Sequence, residues 1–193
     1  MNALGTQDMP AEPTSTKHND PVPQAMRSAT SAFPTGVVLL AAKVDGLPVG
    51  LLANSFTSVS LDPPLVSINI ARTSTTWPLL RKAEHWGISI LAEEQETVFR
   101  RLAGNAAERF SGLDWTSGTD GSLVLGGASA TFIVRPEAQF DAGDHIIALM
   151  QVLGLDRSPE RRPLAFHGSQ TARLAVPDVA SPISNRVLSW PSK

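Results

Sequence analysis

The stretch "GVVLLAAKV" (36–44) restricts the fold more than any other part of this chain. It is almost continuously apolar, without the alternation that would leave one side wet. Such a run suits a β-strand buried on both faces. Asp45-Gly46 follows it and is a strong hairpin signal, because both residue types tolerate the positive φ of a tight turn. "LPVGLLAN" (47–54) then returns alongside. A strand covered on both sides has to sit inside a larger β architecture.

The rest of the chain supplies one. "FTSVS" (56–60) alternates, and Asp62-Pro63-Pro64 stops it. "LVSINIA" (65–71) alternates cleanly, with Val66, Ile68 and Ile70 on one face and Ser67 and Asn69 on the other. "WGISIL" (86–91), "ATFIV" (130–134), "HIIALMQVLGL" (145–155) and "PLAFH" (163–167) read as further strands. Helices are few. "PQAMRSATSAF" (23–33) predicts a short one. "STTWPLLRKAEH" (74–85) predicts a second, with Ser74 as N-cap and Leu79 and Leu80 on one flank. "AEEQETVFRRLAG" (92–104) predicts a third, with acids in its first turn, arginines in its last and Gly104 at its end. Many short strands with few helices point to a mainly β protein, a barrel with peripheral helices.

The expected organisation is one domain over 25–174, between a disordered tail at 1–24 and a second tail at 175–193 in which Trp190 could dock. The 193 residues are 42% hydrophobic, enough for one sizeable core. The formal net charge is -2 and no basic stripe is present, which argues against a nucleic-acid partner. With no cysteine, thiolate chemistry and Cys-ligated metals are excluded. The first residues lack the pattern of a signal peptide, and no apolar run is long enough to span a bilayer. A cytoplasmic protein, with no membrane partner, is expected.

Several chemistries lack their motifs. Neither a Rossmann glycine fingerprint nor a P-loop is present, nor a G-x-S-x-G elbow. His18, His85, His145 and His167 lie without metal-ligand spacing, so no metal is expected. Two segments are instead rich in hydroxyls. "ANSFTSVS" (53–60) has an asparagine and four of them. "ARTSTT" (71–76) has four and an arginine at a predicted helix start. Free N–H groups and hydroxyls there make an anion site, so Ser74, Thr75 and Thr76 could hold a phosphate. The plainer alternative is a capping serine and threonines in a turn, and frequency favours it. "GDH" (143–145) opens an apolar strand. His145 there is either structural or a group that changes charge near neutrality, and spacing alone leaves both open. By themselves, Asn54 and Ser55 read as a polar turn or an unpartnered edge strand, Arg109 as a surface charge and Phe110 as core.

Taken in order, "FPTGVVLLAA", "GLLANSFTSVSLDPPLVSINIARTSTTWPLLRKAEHWGISILAEEQE", "ERFSGLDW", "DAGDHIIALMQVL" and "PLAFHG" resemble the flavin reductase-like family, the short-chain flavin:NAD(P)H reductases. The resemblance covers residues 26 to 174. It implies an FMN-binding split-barrel fold, a homodimer, and an NAD(P)H:flavin oxidoreductase that supplies reduced flavin to a partner monooxygenase. FMN or FAD would be the flavin, and NADH or NADPH the hydride donor. By motif, Thr35, Gly36 and Val37 would lie near the flavin ring, and Ala53, Asn54 and Ser55 near its edge and ribityl chain. Arg72, Ser74, Thr75 and Thr76 become phosphate candidates, which reverses the preference for the plainer alternative. Arg109 and Phe110 match a segment near the flavin. Asp144 and His145 match the nicotinamide motif, with His145 in the catalytic role of positioning the donor. The chain departs from the family at Leu52, where threonine is common, and after Phe166, where "HGSQTARL" replaces an aromatic-rich strand. Two alternative readings are a flavoprotein that keeps its flavin and reduces a bound corrinoid or quinone, and a flavin-binding protein without turnover.

Overall fold

A computed structural model describes residues 22–105 and 108–175. The expected tails at 1–24 and 175–193, Trp190 included, lie outside the described residues except at their inner ends. There the first helix begins at Pro23, inside the stretch assigned to the tail.

In chain order the elements are α1 (Pro23–Thr30), β1 (Thr35–Gly36), β2 (Val38–Val44), β3 (Leu47–Ala53), β4 (Thr57–Leu61), β5 (Pro64–Ala71), α2 (Trp77–Leu80) and β6 (Trp86–Ile90). A 3-10 turn (Glu93–Gln95) leads into α3 (Glu96–Leu102). Then come β7 (Trp115–Ser117), β8 (Leu123–Leu125), β9 (Ala130–Ala142), β10 (His145–Arg157), β11 (Ala165–His167) and β12 (Gln170–Ala172). The protein is mainly β. A seven-stranded antiparallel sheet runs β3-β2-β6-β9-β10-β5-β4, and smaller sheets are formed by β1-β11-β12 and β7-β8.

β2 is buried on both faces, as its composition requires, and its period of two divides the core. Val38, Leu40, Ala42 and Val44 enter one cluster with Val66, Ile68, Ile70, Trp86, Ile88 and Met150. Val37, Leu39 and Ala41 face a second cluster with Leu91, Leu102, Leu123 and Leu164. Asp45 and Gly46 both adopt positive φ (50° and 82°), the pair of values a two-residue hairpin turn needs, and Val44 pairs with Leu47 across it.

The order of the sheet requires it to curl. β3 and β4 are its two edges, yet only residues 54–56 join them. In a flat sheet those edges would be about 29 Å apart, from six spacings of about 4.8 Å. The connection from Ala53 to Thr57 can reach at most about 14 Å. The sheet therefore rolls up on itself and brings its edges close, and "NSF" crosses the seam. Ser55 fastens the crossing. Its Oγ accepts from the Asn69 N–H (3.0 Å) and donates to the Asn69 carbonyl (3.1 Å), extending the partnership of β4 with β5 by one step.

The predicted helix over 74–85 is corrected to a single turn at Trp77–Leu80. Trp77 and Leu80 are buried, and the Leu80 carbonyl is occupied by the Trp86 indole N–H (2.8 Å) and the Ala83 N–H (3.0 Å). Helix continuation is thereby lost, and the chain turns into β6. The third helix keeps its predicted charge order and adds a pairing of Arg100 with Glu96 (2.7 Å).

Candidate active site

A groove of about 1180 Å³ opens beside the seam. β1 contributes Thr35 and Gly36, the seam Asn54, Ser55 and Phe56, and β10 contributes His145. A smaller cavity of about 230 Å³ is lined by Val37, Leu52, Ala53, Asn54, Phe99 and Phe166. Asn54 and Phe166 line both spaces. Seven of the residues singled out from sequence are thus drawn together from three separate segments: Thr35, Gly36, Val37, Ala53, Asn54, Ser55 and His145.

The polar groups there differ in availability. The Thr35 hydroxyl is buried without a hydrogen-bond partner among the described residues. Such a group costs about 1–3 kcal/mol unless something satisfies it, so it marks a place for a ligand atom. The Ser55 hydroxyl is committed to Asn69. Leu52, where the family often has threonine, is half-buried against the second core cluster and lines the apolar cavity.

The "GDH" segment is a tight turn between β9 and β10, with Ala142 opposite His145. Gly143 takes φ 62°, the value a first-position glycine supplies in such a turn. His145 Nδ1 lies 2.7 Å from Asp144 Oδ1. An ionised carboxylate only accepts, so Nδ1 carries the proton and Nε2 is left for another partner. The hydrogen bond from His145 is the main cause holding the Asp144 carboxyl below its ordinary range, and the nearby imidazole charge adds to it.

Arg72 braces this turn. Its Nε donates to the Gly143 carbonyl (2.9 Å), its Nη2 pairs with Asp141 (2.7 Å), and its backbone N–H donates to the Asp144 carbonyl (2.9 Å). Ser74, Thr75 and Thr76 follow directly. Ser74 Oγ accepts from the Trp77 N–H (3.2 Å), but the N-cap position of the turn falls to Thr76 and not to Ser74 as expected. These three residues and Arg72 do not line the groove. Arg109 and Phe110 lie elsewhere too. Arg109 Nη1 donates to the Gly50 carbonyl (3.0 Å), and Phe110 packs into the second core cluster, over the spot where a Cβ on Gly50 would stand 2.8 Å from its ring.

Sequence reasoning missed the contributions of α1 and of the β11–β12 hairpin. Arg27, Phe33, Phe166, His167 and Ser169 also line the groove. The hairpin had a signal, because Gly168-Ser169 is a turn dipeptide and both residues have positive φ (56° and 63°). Arg27 had none, since an arginine on a short polar helix is ordinarily a solvated charge.

A family model described as "Flavin reductase like domain" matches residues 30–175. The chain is 35% identical to the reductase subunit HsaB of a flavin-dependent monooxygenase from Rhodococcus jostii, over 77% of this chain and 76% of the relative. It is 38% identical to an NADH-dependent FMN reductase, SmoA, from Agrobacterium fabrum, over 79% of this chain and 86% of the relative. An NADH:FAD oxidoreductase of Streptomyces globisporus, solved with NAD and FAD fragments, superposes with a TM-score of 0.75 at 33% identity. That alignment covers 81% of this chain and 94% of the other. With the family model matching residues 30–175 and the fold superposing on a solved flavin oxidoreductase, the chain belongs to the flavin reductase-like family.

Proposed function

We propose that this chain is an NAD(P)H-dependent flavin reductase that passes reduced flavin to a partner monooxygenase, and that it works as a cytoplasmic homodimer. One observation carries the reading: the seam residues and His145 of the "GDH" turn line a common groove in which the buried Thr35 hydroxyl lacks a partner among the described residues. The residues fit a flavin. When bound, the flavin supplies the redox chemistry and takes a hydride from the nicotinamide. Thr35 offers a hydroxyl, Asn54 an amide, and Val37, Ala53 and Phe166 an apolar wall. His145 orients the donor. With Nδ1 held by Asp144, the neutral imidazole accepts at Nε2 from an amide N–H, and the protonated ring would donate there instead. Arg72 keeps the turn that presents it in place.

Steady-state oxidation of NADH and NADPH with FMN, FAD and riboflavin added in turn tests the reading. Turnover with added flavin is expected, and no oxidation with any of the three would overturn it.

The flavin phosphate is assigned to Thr75 and Thr76, beside Ser74. Thr75 is exposed, so its hydroxyl can be removed without disturbing the core. Thr75→Ala is expected to weaken FMN about tenfold, one hydrogen bond to a charged group. Riboflavin, which has no phosphate, should bind as before. Equal losses in fluorescence titrations of the two ligands would place the phosphate elsewhere.

The homodimer is supported by apolar side chains left open around the groove and along the sheet. Met26 and Phe33, which line the groove, are 54% and 74% exposed, and Leu61 on edge strand β4 is 89% exposed. A second subunit would cover such surface. Sedimentation at micromolar concentration should give twice the 20.5 kDa chain mass, and a single-chain mass would refute the dimer. Among the described residues no helix is long and apolar enough to cross a membrane.

A further inference from the structure

The groove is lined by basic groups only, the Asp144 carboxylate that holds His145 Nδ1 not being part of its lining. Arg27, His145 and His167 line it, and none of its lining residues is an aspartate or glutamate. This is unexpected in a chain whose net charge is -2. Most arginines here are anchored. Arg72 pairs with Asp141, Arg162 with Glu93, Arg109 with the Gly50 carbonyl and Arg157 with the Ser129 carbonyl. The Arg27 guanidinium has no hydrogen bond or ion pair among the described residues. It projects from α1, a helix with no buried residue, so it is not needed to hold a core. It is also near the "GDH" turn, because its charge contributes, as the smallest of several causes, to holding the Asp144 carboxyl low.

We propose that Arg27 receives the phosphate groups of the nicotinamide dinucleotide, while His145 holds its nicotinamide end. This rests on the reductase reading given above. A guanidinium presents parallel N–H donors that match phosphate oxygens two at a time. The threonines assigned to the flavin phosphate do not line this groove, so the phosphates it would bind are those of the dinucleotide. His167, on the β11–β12 hairpin, also lines the groove and carries a ring N–H donor.

Arg27→Gln tests the assignment, with riboflavin as acceptor so that no flavin phosphate contributes. The KM for NADH should rise about tenfold with kcat little changed, the size expected for one charge-assisted contact. Benzyl dihydronicotinamide, a donor without phosphate, should distinguish the variant from wild type hardly at all. A readout independent of turnover is calorimetric titration with ADP-ribose, which keeps both phosphates and lacks the nicotinamide. Its affinity should fall by about the same tenfold. An unchanged KM for NADH together with unchanged ADP-ribose affinity would overturn the proposal. So would a loss toward FMN with none toward NADH, which would move Arg27 to the flavin phosphate. A fall in sedimentation mass accompanying the weaker binding would make Arg27 a subunit contact and equally overturn it. If wild type oxidised no nicotinamide with any flavin, the reductase reading would fail, and the ADP-ribose titration would still decide the role of Arg27.

Discussion

His145→Ala is expected to slow flavin reduction about tenfold to a hundredfold at subsaturating NAD(P)H, with flavin affinity close to wild type. The magnitude follows from losing one orienting hydrogen bond of about 1–3 kcal/mol. The selectivity follows from the geometry. The His145 side chain is 43% exposed, and its partner Asp144 is 91% exposed. Removing the ring strands no buried group, so the melting temperature should barely move. β10 stays in register through its pairing with β5 and β9, and the seam residues proposed to face the flavin lie in the connection from β3 to β4. Anaerobic stopped-flow reduction and a flavin titration of the same variant check both halves. A variant reduced at the wild-type rate, or one that loses flavin binding and thermal stability together, would remove His145 from the nicotinamide site.

Trp86→Ala should cost about 3–5 kcal/mol, the usual range for emptying a large aromatic site in a core. Trp86 is 1% exposed and lies on β6, between β2 and β9 in the middle of the seven-stranded sheet. Its ring meets Trp77 at 5.2 Å between centroids, and its indole N–H donates to the Leu80 carbonyl. Domains of this size are stable by only about 5–15 kcal/mol, so the variant should be close to unfolding on warming. Trp86→Phe keeps most of the volume and loses the hydrogen bond, and should cost about 1 kcal/mol for that bond, plus a smaller packing loss. Urea melts of the two variants give the comparison. A Trp86→Ala midpoint equal to wild type would mean that the Trp77–Trp86 pair does not hold α2 to the sheet. Because Trp77 begins α2 directly after Thr75 and Thr76, the alanine variant should also loosen the proposed phosphate segment.

The elements that sequence reading located are those whose cause is local. Asp45-Gly46 turns because those two residue types accept positive φ. Val66, Ile68 and Ile70 are buried because a strand alternates its side chains between faces. Gly143 permits the tight turn that places His145 at the mouth of β10, and the polar Asn54 and Ser55 marked a turn between two strands. The single-turn length of α2 was not legible. It depends on which donor reaches the Leu80 carbonyl, and that donor arrives from β6.

The sequence by itself determined the β character of this protein, the two-faced burial of β2 and the hairpin turn at Asp45-Gly46. These follow from backbone sterics and from a side-chain period of two, which act between neighbours. Tertiary structure alone decided which polar groups are free and which are committed. Ser55 is committed to Asn69, Arg72 to a carbonyl 71 residues away, and Arg109 to one 59 residues away, whereas Thr35 and Arg27 face the groove without a partner among the described residues. The physical reason is that a hydrogen bond is settled by distance in space. The pairing of strands distant in sequence, β4 with β5 and β5 with β10, sets those distances for Ser55 and Arg72.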